Sequence, residues 1–388
     1  MELPINKKIT WRGTKIIVIA IGLIALSFMG MLPVSTPLTP VKEAKAAVAN
    51  YPLLDTALEM QANAYWSMTY GDFNGDGLVD YAAAGDEINI WLQTSEHFFE
   101  KLGAVPSTSG TRPQVLKAAQ LNADTALDLV WTDNYGWDVE ISTGNGDGTF
   151  DTPVSLDGSN RGTNLDIADF NNDGNKDIAM SCSYDDSVYI FLHDDLGTNG
   201  FAAPQIVALG GDYDPSDIVA IDADNDTDLD LMTANNNAAA THVSYLENTG
   251  THSGSFSNPV VNVAVGVQQK TLVAGKFNSD DLTDIVVGVQ GALRFLPNTS
   301  PSPGSFSFGP ASSDYSTGGQ MRENTVTGDV NGDGVLDIVT NDLATGNYPD
   351  GNGVVVMLND GSGVFSNSGQ SFALLLAWLS ELVDMDQD

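Results

Sequence analysis

The sequence predicts an all-β fold, a β-propeller of four-stranded antiparallel blades, on three observations. An Asp-rich pattern of nine residues recurs along the whole chain. Its copies begin at residues 72, 120, 169, 222, 276, 329 and 384, so the spacings run 48, 49, 53, 54, 53 and 55. A regular period of this size marks stacked supersecondary units rather than independent loops. Between the copies lie short apolar or alternating runs bounded by turn residues, with no long stretch of helical periodicity.

Each unit reads in the same order. The Asp-rich loop is followed by a short apolar run, at 81–84, 129–131, 178–180, 231–232, 285–287 and 338–339. An alternating run comes next, at 88–92, 188–192, 293–296 and 354–358. A polar Gly turn then leads to Phe150, Phe256, Phe306 or Phe365. One such sheet cannot bury both of its faces, so neighbouring blades must pack face to face and the ring must close. Residues 377–384 line up with 65–72 and read as the first strand of a further unit, and the chain stops inside its loop at Asp384, Asp386 and Asp388. The expectation is six complete blades plus the start of a seventh, seven-bladed when complete. Residues 63–388 form this propeller, truncated in the seventh repeat, and residues 47–62 are a candidate ring-closing strand.

The first 46 residues read as an export signal. Lys7, Lys8, Arg12 and Lys15 precede an uncharged, mostly apolar stretch over 16–32, and Ala44-Lys45-Ala46 resembles a cleavage site. The competing reading is an uncleaved anchor, because the apolar run approaches spanning length. Either way the rest of the chain is expected outside the cytoplasm, secreted or at the cell surface, with no membrane insertion of the mature chain. Acidic residues number 51 and basic ones 15, a formal charge of −36. Such a field repels nucleic acid and anionic lipid and attracts cations. Cys182 stands alone in an apolar run, so it reads as a core thiol and no internal disulfide is available.

The acidic residues are grouped. Asp72, Asn74, Asp76, Gly77 and Asp80 fill positions 1, 3, 5, 6 and 9 of the first loop. Asp169, Asn171, Asp173, Gly174 and Asp177 repeat the pattern, as do Asp329, Asn331, Asp333, Gly334 and Asp337. Asp222, Asp224, Asp226 and Asp230 keep every acidic position, but Thr227 replaces the glycine. In a tight loop, alternate side chains converge on one point, and calcium takes six to eight oxygens at short range. The backbone carbonyl at position 7, on Leu78, Asn175, Asp228 or Val335, is the remaining candidate ligand. About four Ca2+ sites are therefore expected. Two copies are degenerate: Gln120 and Lys276 replace the first carboxylate. Lys276 is expected to substitute its ammonium for calcium by bridging Asp280 and Asp284. An EF-hand is excluded because position 12 is Ala83, Met180, Thr233 or Thr340 rather than Glu, and the flanks are β-like. Asx residues also cap turns, but three carboxylates crowded together without a cation would repel one another.

On these loops and strands the repeats resemble the FG-GAP/VCBS family, found in bacterial surface proteins and in the propeller of integrin alpha subunits. The resemblance covers roughly residues 60 to 388. It implies a β-propeller with calcium in hairpin loops on one face, and it leaves function open, since members include adhesins, lectin-like proteins and domains attached to enzymes.

No catalytic constellation emerges. His97, His193, His242 and His252 lack zinc-site spacing, and neither a G-x-S-x-G elbow nor a P-loop occurs. The aromatic and amide segment 131–138 suits stacking on sugar rings, although Trp131 and Trp137 read better as inter-blade filling. The expected function is a protein- or carbohydrate-binding, adhesion-type module whose partner is an extracellular protein or polysaccharide. The alternative is a polysaccharide-degrading enzyme or the non-catalytic propeller of one.

Overall fold

The computed structural model describes residues 16–22, 67–95, 98–106, 113–133, 138–156, 162–194, 200–211, 213–238, 240–249, 253–257, 261–266, 268–317, 320–343, 353–373 and 377–384. These residues form six four-stranded antiparallel sheets, each with its strands in chain order. Blade I is built from Ser67–Gly71, Asp80–Ala84, Ile88–Ser95 and Phe98–Ala104. Blade II is Pro113–Ala119, Asp128–Asp133, Val139–Ser142 and Val154–Leu156. Blade III is Gly162–Ala168, Asp177–Cys182, Ser187–Phe191 and Gln205–Ala208. Blade IV is Pro215–Ile221, Asp230–Asn235, His242–Leu246 and Val261–Ala264. Blade V is Thr271–Gly275, Asp284–Val289, Ala292–Leu296 and Tyr315–Ser316. Blade VI is Gln320–Gly328, Asp337–Leu343, Gly353–Asn359 and Phe365–Ala373. The first strands of successive blades lie against one another, so they are the innermost strands of a six-bladed propeller.

The second strands explain why their sequences are unbroken apolar runs. Every residue of Asp128–Asp133, Asp177–Cys182, Asp230–Asn235 and Asp284–Val289 is buried, because both faces of each sheet are covered. Alternate side chains feed the cores on either side. Leu129 and Trp131 join Ala82, Ala84 and Ile90 between blades I and II. Val130 packs with Leu165, Ile178 and Met180 between blades II and III. Comparable cores lie between III and IV around Phe170 and Leu231, between IV and V around Met232 and Val287, and between V and VI around Phe277 and Ile338. Trp131 is thus inter-blade filling, as expected, and Cys182 is a buried core thiol whose pKa burial pushes up to about 11. Trp137 lies outside the described residues.

The start of a seventh blade, expected over 377–388, is not supported, and the propeller is six-bladed. Ala377–Asp384 is a strand, but its hydrogen-bonded partner is Ile16–Gly22, in an antiparallel two-stranded sheet. It runs beside the first strands of blades VI and I. The apolar faces it approaches carry their own small clusters: Met68, Tyr81, Ala83 and Trp91 on blade I, and Val330, Val339, Val354 and Val356 on blade VI. The candidate cleavage site and residues 47–62 lie outside the described residues.

Candidate functional site

The acidic loops connect the first and second strands of every blade. In all six, the residue before position 1 pairs with position 9, as in Gly71 with Asp80 and Gly275 with Asp284. Eight residues must therefore turn the chain between strands only one pairing distance apart.

Position 9 is a buried anchor. One oxygen of Asp80 accepts the N–H of Phe73 at 2.9 Å, and the other accepts the N–H of Gln93 at 2.8 Å. The same pair of bonds recurs at Asp128, Asp177, Asp230, Asp284 and Asp337. Each carboxylate thus ties its own loop to the end of the third strand. Burial is the largest influence on their pKa values, raising Asp80, Asp177, Asp284 and Asp337 to about 6 and Asp230 to about 8.

Position 1 organises the loop. Asp72 accepts N–H groups from Gly75 at 2.7 Å, Asp76 at 3.1 Å and Gly77 at 2.8 Å. Asp169, Asp222 and Asp329 each take the amides of positions 5 and 6 in the same way. Turning those amides inward requires positive φ at positions 4 and 6. These are Gly75 and Gly77, Asn172 and Gly174, Asn225 and Thr227, and Gly332 and Gly334. The sequence flagged position 6 alone. At position 5, Asp76, Asp173, Asp226 and Asp333 accept the N–H of position 7, on Leu78, Asn175, Asp228 and Val335. At position 3, Asn74, Asn171 and Asn331 accept the N–H of position 5 through their side-chain oxygens.

The degenerate loops take another geometry. Among the described residues, no positive φ falls within 120–128 or 276–284. Without the first carboxylate nothing draws those amides inward. The Asn122 amide turns toward Asp128 at 3.5 Å and the Asn278 amide toward Asp284 at 3.3 Å. In the intact loops, Asn74 and Asn171 instead donate to Asp76 and Asp173, at 3.0 and 2.9 Å. The expected Lys276 bridge is not found: its Nζ lies 3.7 Å from the exposed Asp281.

Among the described residues, the fourth loop gathers three carboxylates. Oxygens of Asp222, Asp224 and Asp226 all lie within 4.8 Å of one another. Burial, then the neighbouring Asp226 charge, raises Asp224 to about 6, and burial raises Asp222 as well. Three hard oxygen donors at this separation suit a divalent cation with oxygen coordination. Elsewhere Asn supplies the oxygen at position 3, so those loops offer two carboxylates and an amide there.

Sequence reasoning missed the side chains that join one loop to the next. Asn248 donates to the Phe170 carbonyl at 2.7 Å, Asn298 to that of Ala223 at 2.8 Å, and Asn359 to that of Phe277 at 2.8 Å. Each acceptor is position 2 of the preceding blade's loop. The signal was present in the sequence, as an Asn that closes the alternating run just before each Gly or Ser turn. Aromatic pairs reinforce the seam: Phe73 with Phe150, Phe170 with Phe256, and Phe277 with Phe365 meet edge to face at centroid distances of 5.6 to 5.7 Å. In blade V the bridging position belongs to Phe308, while Phe306 stacks on Tyr245.

Ring and loops together define a six-bladed β-propeller repeat protein with acidic hairpin loops along one rim. The FG-GAP-like repeat model matches residues 120–180 and 276–340, so the propeller described above carries FG-GAP-like repeats. No curated protein matches the sequence significantly. Solved structures share the fold at low identity. An Agrocybe aegerita lectin, described as recognising non-reducing terminal N-acetylglucosamine, aligns with TM-score 0.55 and 17% identity over 82% of this chain and 85% of that one. A protein from Lactobacillus plantarum aligns with TM-score 0.59 and 14% identity, covering 82% and 88%. Among the described residues no helix is long and apolar enough to cross a membrane.

Proposed function

We propose that this chain is an exported propeller whose intact loops hold calcium and whose rigid ring presents a binding surface to an extracellular protein or polysaccharide. The observation that carries the cation reading is the convergence of Asp222, Asp224 and Asp226 within 4.8 Å. The loops of Asp72, Asp169 and Asp329 share the same amide cradle, with Asn in place of Asp224 at position 3, and take the same role. The cation would neutralise part of the −36 charge and pin each hairpin. Its role is structural, and the ring then acts as a scaffold for recognition. The binding-module reading is supported by the repeat class and by a lectin among the fold neighbours. Export rests on the basic segment, apolar stretch and small-residue site of the first 46 residues.

The test is capture by the purified chain on arrayed glycans and extracellular proteins, with calcium and after chelation. Saturable capture that weakens on chelation is expected. Turnover of a polysaccharide by the same preparation, without calcium-dependent capture, would favour an enzyme instead.

A further inference from the structure

A cavity of about 540 Å3 opens between blades II and III, at the rim that carries the acidic loops. That size suits a small ligand, for which pockets of roughly 300–1,000 Å3 are usual. Its lining includes Lys117, Gln120, Asn122, Asp166, Asn175 and Lys176. Basic residues number only 15 in the chain, yet two of them line this one cavity.

The two lysines differ in their surroundings. Lys117 pairs with Asp166 at 2.8 Å, and the second oxygen of Asp166 accepts the Ala220 N–H at 2.8 Å. That pair is fixed in the wall and neutral as a unit. Lys176 is exposed and has no ion-pair partner among the described residues. It occupies position 8 of its loop, where the other copies carry Val79, Leu127, Leu229, Thr283 and Leu336. Across the cavity, the degenerate loop has Gln120 in place of the first carboxylate. Substitution at two loops has thus left on this rim a lysine that forms no ion pair among the described residues, with side-chain amides in the same lining.

We propose that this cavity binds a saccharide bearing a single carboxylate, such as a uronate-containing disaccharide. This deepens the polysaccharide arm of the binding reading and rests on it. The carboxylate meets Lys176 in a charge-assisted contact. Gln120 and Asn122 each donate one amide hydrogen within their own loop, to the Asp124 carbonyl and to Asp128. Their second amide hydrogens and remaining lone pairs, with the Asn175 amide, can donate to and accept from sugar hydroxyls. One carboxylate is specified because the overall field repels a densely charged polyanion.

The full chain, with calcium present, is titrated calorimetrically with cellobiouronic acid and separately with cellobiose, which differ in the carboxylate alone. The acid is expected to bind at least about tenfold more tightly, the scale of one charge-assisted contact. K176Q should erase that preference. Q120D, which returns a carboxylate to the rim, should weaken the acid selectively. Should K176Q fail to fold, Q120D and the loss of preference at high salt carry the test. Equal affinity for the two sugars, no binding of either, or a preference that survives K176Q or Q120D overturns the inference. Calcium-dependent capture of other glycans or proteins in the array, without a cellobiouronate preference, removes this inference and leaves the binding module standing.

Discussion

The side-chain amide of Asn248, in blade IV, donates 2.7 Å to the backbone carbonyl of Phe170, in the acidic loop of blade III. The same amide donates to its own loop's Leu229 carbonyl at 3.1 Å. One residue therefore welds two successive loops, and Asn298 and Asn359 do the same one and two blades further round.

Removing this weld should destabilise the ring without altering its strands. Asn248→Ala leaves two buried carbonyls without their donor, a loss of about 1–3 kcal/mol. Urea unfolding of the variant should show a lowered midpoint with an unchanged slope. An unchanged midpoint would mean that water replaces the amide at no cost.

Thr227 holds φ at +81°, a conformation that a β-branched residue adopts only under strain. The Asp222 carboxylate holds it there by accepting its N–H at 3.2 Å. Thr227→Gly restores the residue found at position 6 in the other intact loops. It should stabilise the protein by about 1 kcal/mol, the strain relieved less glycine's extra chain entropy. Thermal unfolding measures it, and a lower melting temperature would show that the threonine side chain contributes more than its strain costs.

Much of this was legible in the sequence. The loop period gave the blade count to within the last strand, because each Asp cluster marks one turn between the first two strands of a sheet. Doubly buried second strands read as unbroken apolar runs, because both faces of each sheet are covered and every side chain between the loop and the next turn enters a core. Position 9 was grouped with the candidate ligands, although it persists as Asp128 and Asp284 in the two loops that lost position 1. That persistence reflects a second task, holding two backbone amides apart from any cation. The pairing of Ala377–Asp384 with Ile16–Gly22 was not legible, because it joins opposite ends of the chain with no local signal. Nor was the Lys117–Asp166 pair, which forms only when two blades meet.

Repair of a degenerate loop should need more than its missing carboxylate. Lys276→Asp alone places a carboxylate beside amides that do not point at it, since position 6 is Asp281 and lacks positive φ. That single change is expected to add no bound calcium. Lys276→Asp combined with Ser279→Asn and Asp281→Gly, which supply residues suited to positive φ at positions 4 and 6, should add one ion, counted by atomic absorption after gel filtration. Uptake by the single variant would show that the turn costs less than the roughly 1–3 kcal/mol assigned to such backbone strain.

Acidification should stabilise the inner wall before it denatures the protein. Burial raises Asp217 to about 6, against the opposing pull of the Leu272 N–H and the Thr271 hydroxyl, which it accepts at 2.9 and 2.8 Å. The folded state therefore binds this proton more tightly than the unfolded state. The resulting stability is complete below about pH 4 and lost as pH rises through about 6. Between pH 7 and pH 5 it amounts to roughly 1 kcal/mol. Asp217→Asn should reduce the gain in unfolding free energy over that interval by this amount. An identical gain in both proteins would place the titration elsewhere.

Calcium uptake by the chelator-stripped chain tests the role of the acidic loops most directly. Titration calorimetry should give saturable binding of about four ions, in the affinity range of roughly 10⁻⁴ to 10⁻³ M typical of extracellular calcium modules. Asp224→Ala should lose one of them, and the melting temperature should rise as the sites fill. Heat no greater than dilution, with the same melting curve in calcium and in chelator, would contradict the account.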